Sequence, residues 1–309
     1  MAPNGATSHA LSYRAPYQST VNTMPKLTLL LAIIAAILCG CSPHPSIDPT
    51  PDERRIVSLA PSLTEILFAI GASNQLVGRT DVCDTPPAAT NIAIVGGFGR
   101  PSIDTLALTR PTHIWWVDIE DRELPAMFTR LGWQGERFAC KRLADIPTAI
   151  EKLGQHTDCT PAATQLAATL RAGIAAREAA TLADTPRPTV LVVVWWTPLM
   201  TCGRESFIGD IITLAGGRLI TEEVERDYFT VSDEWALRQN PDTIICLDYT
   251  PPGESLKRLR NTTGWCSLNA VKEGRVYNHL DANVLYRPGP RVLEAVDSVR
   301  ALLDSHANK

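Results

Sequence analysis

The sequence predicts an α/β protein of two lobes, each a mainly parallel sheet with flanking helices, joined by one long backbone helix. Two observations support this fold class. Short, continuously apolar segments alternate with amphipathic ones in both halves of the chain, which is typical of parallel sheets covered on both faces. Between the halves, residues 161–185 carry helix-favouring side chains at nearly every position.

The backbone helix has clear limits in the sequence. Pro161 suits a first helical position, and Pro186 prevents continuation. Leu166, Leu170 and Ile174 are four residues apart and predict one apolar stripe. A helix of about 25 residues is about 37 Å long, the width of a small domain. The segment is therefore predicted to be a strut between two lobes.

The first lobe is predicted to span residues 54–160. Its predicted strands lie at residues 55–59, 76–78, 92–95, 113–117 and 137–139, and its helices at 63–70, 103–109, 122–131 and 146–153. Ser62 followed three residues later by Glu65 predicts a capping box at the first helix. Ser102 is predicted to cap the second helix.

The second lobe, at residues 187–309, repeats the plan after the backbone helix at 161–186. Its predicted strands lie at 190–196, 243–247 and 275–277, and its helices at 207–214, 233–239, 255–260 and 291–303. Ser232 is predicted to cap the helix that begins at residue 233. The halves share a plan without sharing a sequence repeat.

Residues 1–41 are predicted to be an N-terminal extension and a lipoprotein signal. The apolar run at 27–38 is too short to span a bilayer and has the length of a signal-peptide core. The run leads into Cys41, which is the predicted lipidation site, although an ordinary cleaved signal fits the same run. Met24 is an alternative start. Residues 42–53 contain four prolines and predict an extended linker.

The chain has eight cysteines. Six remain after the signal is removed and Cys41 is lipidated, and an even number permits disulfides in an oxidising compartment. Cys140 and Cys159 form the favoured local pair, because one ends a strand segment and the other follows the returning helix. The pairing of Cys83, Cys202, Cys246 and Cys266 stays open.

The composition and motifs exclude several classes of function. A net charge of −4 without a basic stripe gives no reason to expect nucleic acid. The glycine-rich run at 96–101 lacks dinucleotide-binding spacing, and no phosphate-loop, nucleophile-elbow or zinc-protease motif occurs. No pair of cysteines has zinc-site spacing, and the histidines do not cluster. We therefore expect no enzyme, metal site or bound cofactor.

The segments that follow predicted strands carry an unusual set of side chains. In α/β sheets the carboxyl ends of the strands face the ligand crevice. The segments that follow combine aromatic rings, glycines and a few polar groups, and they lie at 82–84, 96–100, 195–197, 201–205, 227–229 and 283–287. This combination favours a large, flat, partly apolar ligand.

Residues 54–301 resemble the cobalamin-binding branch of the periplasmic solute-binding proteins, a class with a rigid helix between two lobes that also includes haem and iron–siderophore binders. The matching motifs, in chain order, are RIVSLAPSLTE (55–65), DVCDTPP (81–87), VGGF (95–98) before Ile103-Asp104, LTRPT (108–112), GRESFI (203–208), LAGG (214–217), VSDE (231–234), NPD (240–242), AVKEGRVY (270–277) and RPGPR (287–291).

The resemblance implies a lipid-anchored, extracytoplasmic substrate-binding protein of an ABC importer, monomeric, that binds cobalamin or a related corrinoid between its lobes. In this family one acidic residue on each lobe docks to the membrane permease dimer. The matching positions are Asp104 and Glu234, each at the start of a short helix, where a carboxylate is also favourable on its own. The partners implied are the permease, the membrane through the lipid anchor, and a small-molecule ligand.

The predicted ligand-binding residues come from two sources. Phe98 and Tyr228 match aromatic residues of the family cleft, and the segment with Thr201 and Cys202 matches a cleft loop. From the segments after the strands we add four residues: Gly97, Trp196, Asn283 and Arg287. The family's first-lobe tyrosine falls on Val82, and a further tryptophan falls on Val117.

Other functions stay open at this stage. A haem binder of the same class could use Tyr228, Tyr286 or His279 as an iron ligand. A siderophore binder could use Arg100 and Arg287 to hold carboxylates. An enzyme on this fold would need a clustered acid–base or metal constellation, and a surface sensor would keep the cleft without needing the docking carboxylates.

Overall fold

The computed structural model describes residues 54–181 and 187–307. The predictions for the signal segment, Cys41, the linker at 42–53 and the end of the backbone helix past Thr181 lie outside these residues. No helix within the described ranges is long and apolar enough to cross a membrane.

The strands of the described chain are, in order, β1 Ile56–Ser58, β2 Leu76–Arg79, β3 Gly96–Gly97, β4 Arg100–Pro101, β5 His113–Trp116, β6 Gln134–Arg137, β7 Thr189–Val193, β8 Trp195–Trp196, β9 Leu199–Cys202, β10 Arg218–Leu219, β11 Tyr228–Thr230, β12 Thr243–Cys246 and β13 Val276–Tyr277.

Its α-helices are α1 Pro61–Ala69, α2 Ile103–Leu108, α3 Leu124–Arg130, α4 Asp145–His156, α5 Thr160–Thr181, α6 Phe207–Leu214, α7 Asp233–Gln239, α8 Glu254–Arg260, α9 Asn269–Lys272, α10 Ala282–Tyr286 and α11 Val292–Ala307.

The first lobe is built on a four-stranded parallel sheet in the order β2–β1–β5–β6. Successive residues of its strands enter different apolar clusters, because side chains alternate between the faces of a sheet. Trp115 of β5 packs in one cluster, whereas its neighbours Ile114 and Trp116 pack in another. Both faces are therefore buried, as the apolar strand segments predict.

The second lobe repeats this architecture with a parallel sheet in the order β10–β7–β12–β13. On β7, Val190 and Val192 face one cluster, and Leu191 and Val193 face another. The predicted α/β class, with two mainly parallel sheets and flanking helices, is confirmed.

The sequence predicted one strand at 190–196, but this apolar run forms two. It breaks at Val194, where the chain leaves the parallel sheet and continues as β8, part of a small antiparallel sheet in the order β11–β9–β8. Periodicity could not locate this break, because both pieces are apolar. The predicted cleft loop at Thr201 and Cys202 therefore lies within strand β9.

Two predicted strands of the first lobe also need correction. The segment at 92–95 makes one isolated bridge, between Ile94 and Arg79. The Arg79 guanidinium accounts for this irregularity, since it donates to the carbonyls of Ile92 and Thr90, each at 3.1 Å. The strand predicted at 137–139 forms earlier, as β6.

The backbone helix is present as α5. Its buried stripe runs through Ala163, Ala167 and Leu170, while Leu166 and Ile174 of the predicted stripe are half-buried beside the same core. Small side chains let α4 and α5 pack closely: a Cβ built on Gly154 would lie 2.2 Å from that of Ala163. The core on this side of both sheets is continuous with the helix.

The helix starts test the capping predictions. Ser102 and Ser232 cap α2 and α7, their hydroxyl oxygens accepting from the amides of Thr105 and Trp235. The capping box at Ser62 is wrong. Helix α1 begins at Pro61, Ala60 is the N-cap, and no side chain caps the helix. The Glu65 carboxylate is thus available for other partners.

Candidate functional site

A cleft of about 550 Å³ lies beyond the carboxyl ends of strands from both lobes. On the first lobe it is lined by residues that follow β1, β2, β3 and β5: Ala60, Pro61, Ser62, Val82, Asp84, Phe98 and Val117. On the second lobe it is lined by residues that follow β12 and by the α10 region: Tyr249, Asn283, Tyr286, Arg287 and Pro288. Volumes of this size are typical of small-molecule sites.

The first-lobe wall is apolar at its rim. Phe98 lies at the tip of the β3–β4 hairpin with 46% of its surface exposed, and Val82 is similarly exposed. The hairpin depends on Gly96, whose φ is +136° and whose added Cβ would lie 2.6 Å from the Arg100 carbonyl oxygen. A side chain at Gly96 would therefore displace the hairpin that presents Phe98.

The second-lobe wall carries two stacked tyrosines. The rings of Tyr249 and Tyr286 are 5.9 Å apart with an interplanar angle of 25°. The Tyr286 hydroxyl donates to the carbonyls of Leu247, at 2.9 Å, and Val194, at 3.3 Å, at the ends of two parallel strands. Burial raises the pKa of Tyr286. Tyr249 is 68% exposed and offers its outer ring face to a ligand.

A network of charged side chains joins the lobes, and two of its members, Asp84 and Arg287, line the cleft. Glu65 of α1, 4% exposed, accepts from Arg291 Nε at 2.8 Å, from Arg291 Nη2 at 3.0 Å and from Arg287 Nη1 at 3.2 Å. Arg287 also donates to Asp84 Oδ1 at 2.7 Å and to the Val82 carbonyl at 3.1 Å. The two arginines of one lobe thus neutralise two carboxylates of the other.

Burial makes the two carboxylates unequal. The side chain of Glu65 is 3% exposed and that of Asp84 is 53% exposed. Hydrogen bonding from Arg287 is the main reason that the pKa of Asp84 is lowered. Because removing one partner leaves an uncompensated buried charge, Glu65 is the member of the network whose loss matters most.

Comparison with known proteins identifies the family. The sequence profile of the periplasmic binding proteins matches residues 56–282. The chain belongs to the periplasmic binding protein family.

Relatives of this binding protein are named for different ligands. It is 29% identical over 276 residues to the vitamin B12-binding protein of Vibrio cholerae, covering 88% of this chain and 96% of the relative. It is 25% identical over 260 residues to the high-affinity heme uptake system protein IsdE of Staphylococcus aureus, covering 82% and 88% of the two chains. It is 23% identical over 255 residues to the ABC transporter substrate-binding lipoprotein YvrC of Bacillus subtilis, covering 80% and 79%.

Solved structures support the same relationship. The periplasmic vitamin B12-binding protein BtuF of Vibrio cholerae aligns with a TM-score of 0.70 at 26% identity, covering 83% of this chain and 98% of that one. The heme-binding protein RhuT of Roseiflexus aligns with a TM-score of 0.72 at 25% identity, covering 82% and 99%. The two-lobed fold is therefore shared by proteins that are named for different ligands.

The structure brings three of the predicted ligand residues to the cleft of this binding protein. Phe98, Asn283 and Arg287 all line it. Asn283 Oδ1 accepts from Arg287 Nη2 at 3.3 Å, so the pair forms one polar edge. Arg287 is occupied by carboxylates, and Arg100 pairs with Glu120 at 2.7 Å. Arg100 is outside the cleft lining, and Arg287 lines it with its guanidinium already paired.

Five predicted residues do not line the cleft: Gly97, Trp196, Thr201, Cys202 and Tyr228. Thr201 and Cys202 are at most 1% exposed within β9, so their side chains cannot touch a ligand in this conformation. Trp196 packs edge-on against Trp265, with ring centroids 5.6 Å apart. Tyr228 is on β11, paired with Cys202.

Sequence reasoning missed Tyr249 and Glu65 as site residues. Tyr249 follows strand β12, so the rule that functional side chains lie after strands could have found it. Glu65 gave no comparable signal, because its arginine partners are 222 and 226 residues away in sequence. Its position three residues after Ser62 predicted a local cap instead.

The two predicted docking carboxylates occupy equivalent positions on the two lobes. Asp104 and Glu234 are each the second residue of a short helix and are both exposed. Neither pairs with a cation among the described residues. The backbone amide of Glu234 and the Ser232 hydroxyl lower the pKa of the Glu234 carboxyl. Both groups are available to an external cation.

The six cysteines within the described ranges are free thiols, so the predicted Cys140–Cys159 disulfide is not formed. The Cys159 thiol donates to the Thr157 carbonyl at 3.5 Å. Burial raises the pKa of Cys140 to about 12, which leaves its thiol protonated and unreactive. Within these ranges no group of three or more His, Cys, Asp or Glu side chains is placed to hold a metal ion.

Proposed function

We propose that the protein binds cobalamin or a related corrinoid in the inter-lobe cleft and delivers it to the permease dimer of an ABC importer. The cleft carries the main argument: exposed Phe98 on one lobe and exposed Tyr249 on the other lie at its two walls. Opposed apolar rings suit a large macrocycle with two faces. The vitamin B12-binding relative, which this chain covers over 96% of its length, supports the choice.

Haem is the competing ligand, because relatives of similar identity carry haem in their names. Haem iron needs an axial side-chain ligand. Of the three candidates, the Tyr286 hydroxyl already donates to two carbonyls, and Tyr228 and His279 are outside the described cleft lining. The exposed phenol of Tyr249 is the group that keeps haem in competition. The few available axial side chains favour a bound molecule whose metal needs no coordination by the protein.

Titration calorimetry and absorption spectroscopy of the purified mature protein distinguish the corrinoid from haem. We expect cyanocobalamin to bind in a one-to-one complex, and hemin to give no shifted Soret band. Haem binding with a shifted Soret band, together with no heat from cyanocobalamin, would overturn the corrinoid assignment in favour of haem. A ferric siderophore is the third titrant, and we expect no binding because Arg100 and Arg287 are already paired.

Delivery to the importer is proposed to use Asp104 and Glu234, one on each lobe. Their equivalent placement and exposure match the requirement for two contacts with a symmetric permease dimer. We further propose that the protein is held outside the cytoplasm as a monomer by a lipid on Cys41. Membrane fractionation of a Cys41→Ser variant tests the anchor, and retention of that variant in the membrane would contradict it.

A further inference from the structure

A single side chain behind the cleft braces the loop that carries Tyr249. We propose that Asn278 is a positioning residue that holds Tyr249 in its ligand-ready conformation, an inference that rests on the proposed function. Asn278 follows β13, is half-buried and is not part of the cleft lining. Its effect on a ligand must therefore pass through the loop.

Tyr249 has a backbone conformation that it would not adopt unaided. Its φ is +56°, in the left-handed region that side chains with a Cβ disfavour. The same loop contains Gly253 at φ +84°. An exposed tyrosine kept in this region indicates that surrounding contacts over-determine the loop, and residues of this kind cluster at ligand sites.

Asn278 provides most of these contacts. Its Nδ2 donates to the Thr250 carbonyl at 3.1 Å, to Thr250 Oγ1 at 2.9 Å and to the Pro251 carbonyl at 2.7 Å. Its Oδ1 accepts from the Gly253 amide at 2.8 Å. One side chain thus joins three of the four residues that follow Tyr249.

Asp248, the residue before Tyr249, contacts the same loop. Asp248 Oδ1 accepts from Thr250 Oγ1 at 2.9 Å, and its Oδ2 accepts from Trp196 Nε1 at 2.5 Å. Trp196, predicted from the sequence as a ligand contact, therefore supports the loop from behind. With Tyr286 stacked beside it, the Tyr249 ring is held from its backbone and from one face.

This bracing fixes the ring before the ligand arrives. A protein whose competent conformation is only partly populated binds with an affinity reduced by that fraction. Without Asn278, Tyr249 is free to leave the left-handed region, and the aromatic wall becomes one of several loop states. The expected consequence is weaker binding without any direct contact being removed.

The experiment is a pair of double-mutant cycles with cyanocobalamin as the titrant. Asn278→Ala is expected to weaken binding by about tenfold, on the scale of a loop whose competent state falls to about one tenth. In a Tyr249→Ala background the same change should alter affinity by less than about twofold, because its effect passes through that ring. In a Phe98→Ala background, on the opposite lobe, the full effect should persist.

Two further variants guard against a general folding defect. Asn278→Asp keeps the volume but loses the donors, and it should weaken binding as Asn278→Ala does. Asn261→Ala is the matched control. The Asn261 side chain, like that of Asn278, donates to a backbone carbonyl, here that of Lys257 at the end of α8. This variant should bind as wild type.

The outcomes separate the two proposals. Equal effects of Asn278→Ala with and without Tyr249, or no effect in a wild type that binds, would overturn the positioning role alone. If the wild-type protein does not bind cyanocobalamin, the corrinoid proposal is overturned. The proposed role of Asn278 in corrinoid binding is then overturned as well.

Discussion

A buried carboxylate between the lobes and two exposed carboxylates at helix starts show how burial gives one chemical group two different roles. Glu65 is enclosed between the lobes and held by two arginines, whereas Asp104 and Glu234 are exposed and form no salt bridge with another described residue. All three follow a serine near the start of a helix. The sequence pattern is nearly the same, so the tertiary partners decide the role.

The largest expected effect is on stability, at Glu65. Glu65→Gln removes the carboxylate that pairs with Arg291 and leaves Arg287 with Asp84 alone, and breaking a buried pair in this way costs about 3–5 kcal/mol. Urea denaturation at neutral pH measures the free energy of unfolding.

A substitution of Arg291 that keeps its positive charge provides the control for this prediction. Arg291→Lys keeps the charge and gives up the two-point contact, so it should cost clearly less than Glu65→Gln. A loss below about 1 kcal/mol for Glu65→Gln would mean that the network is not a structural link between the lobes.

The second effect is on transport and leaves the fold untouched. The double variant Asp104→Ala with Glu234→Ala should bind cyanocobalamin as wild type does and should lose only the small stabilisation that each carboxylate gives to its helix start, because both side chains are exposed. Its stimulation of uptake by the importer in proteoliposomes should fall by at least about tenfold, since docking loses a charge on each lobe.

A matched pair of exposed acids gives the control for docking. Glu222 is half-exposed and pairs with Arg218, four residues away. Glu254 is exposed and pairs with Lys257, three residues away. Replacing both by Ala should leave uptake unchanged. Equal loss of uptake in the two double variants would show a nonspecific charge effect and remove the docking role of Asp104 and Glu234.

The contrast between these carboxylates also explains what the sequence could and could not predict. Local signals were sufficient for the central strands of the two sheets, for helix α5 and for the caps at Ser102 and Ser232. Each of these depends on residues within a few positions of one another. The resemblance to solute-binding proteins then implied a cleft between the lobes.

What the sequence did not predict depended on distant partners or on a change from one sheet to another. The capping box at Ser62 fails because the helix begins at Pro61, two residues before the predicted start at residue 63, and because arginines from the other lobe bind Glu65. Trp196, predicted as a ligand contact, is half-buried, packs against Trp265 and lies outside the cleft lining. No signal in the sequence indicated that the chain leaves the parallel sheet at Val194, just before this residue.

The smallest expected effect concerns Asp84, which shares Arg287 with Glu65 but is half-exposed. Arg287 lowers the pKa of Asp84 in the folded protein. The ionised carboxylate therefore adds stability above its unfolded pKa of about 3.9, and this contribution is lost as the pH falls through the lower folded value. Solvent screening limits the contribution to under about 1 kcal/mol.

Asp84→Asn tests this gradation within the network. Its free energy of unfolding at pH 7 should lie less than about 1 kcal/mol below wild type, and the difference should shrink as the pH is lowered below about 4, where wild-type Asp84 also becomes neutral. Urea denaturation at several pH values measures both quantities. A loss as large as that of Glu65→Gln, or a difference that grows at low pH, would show that exposure does not grade the two carboxylates and that Asp84 is an equal member of the inter-lobe link.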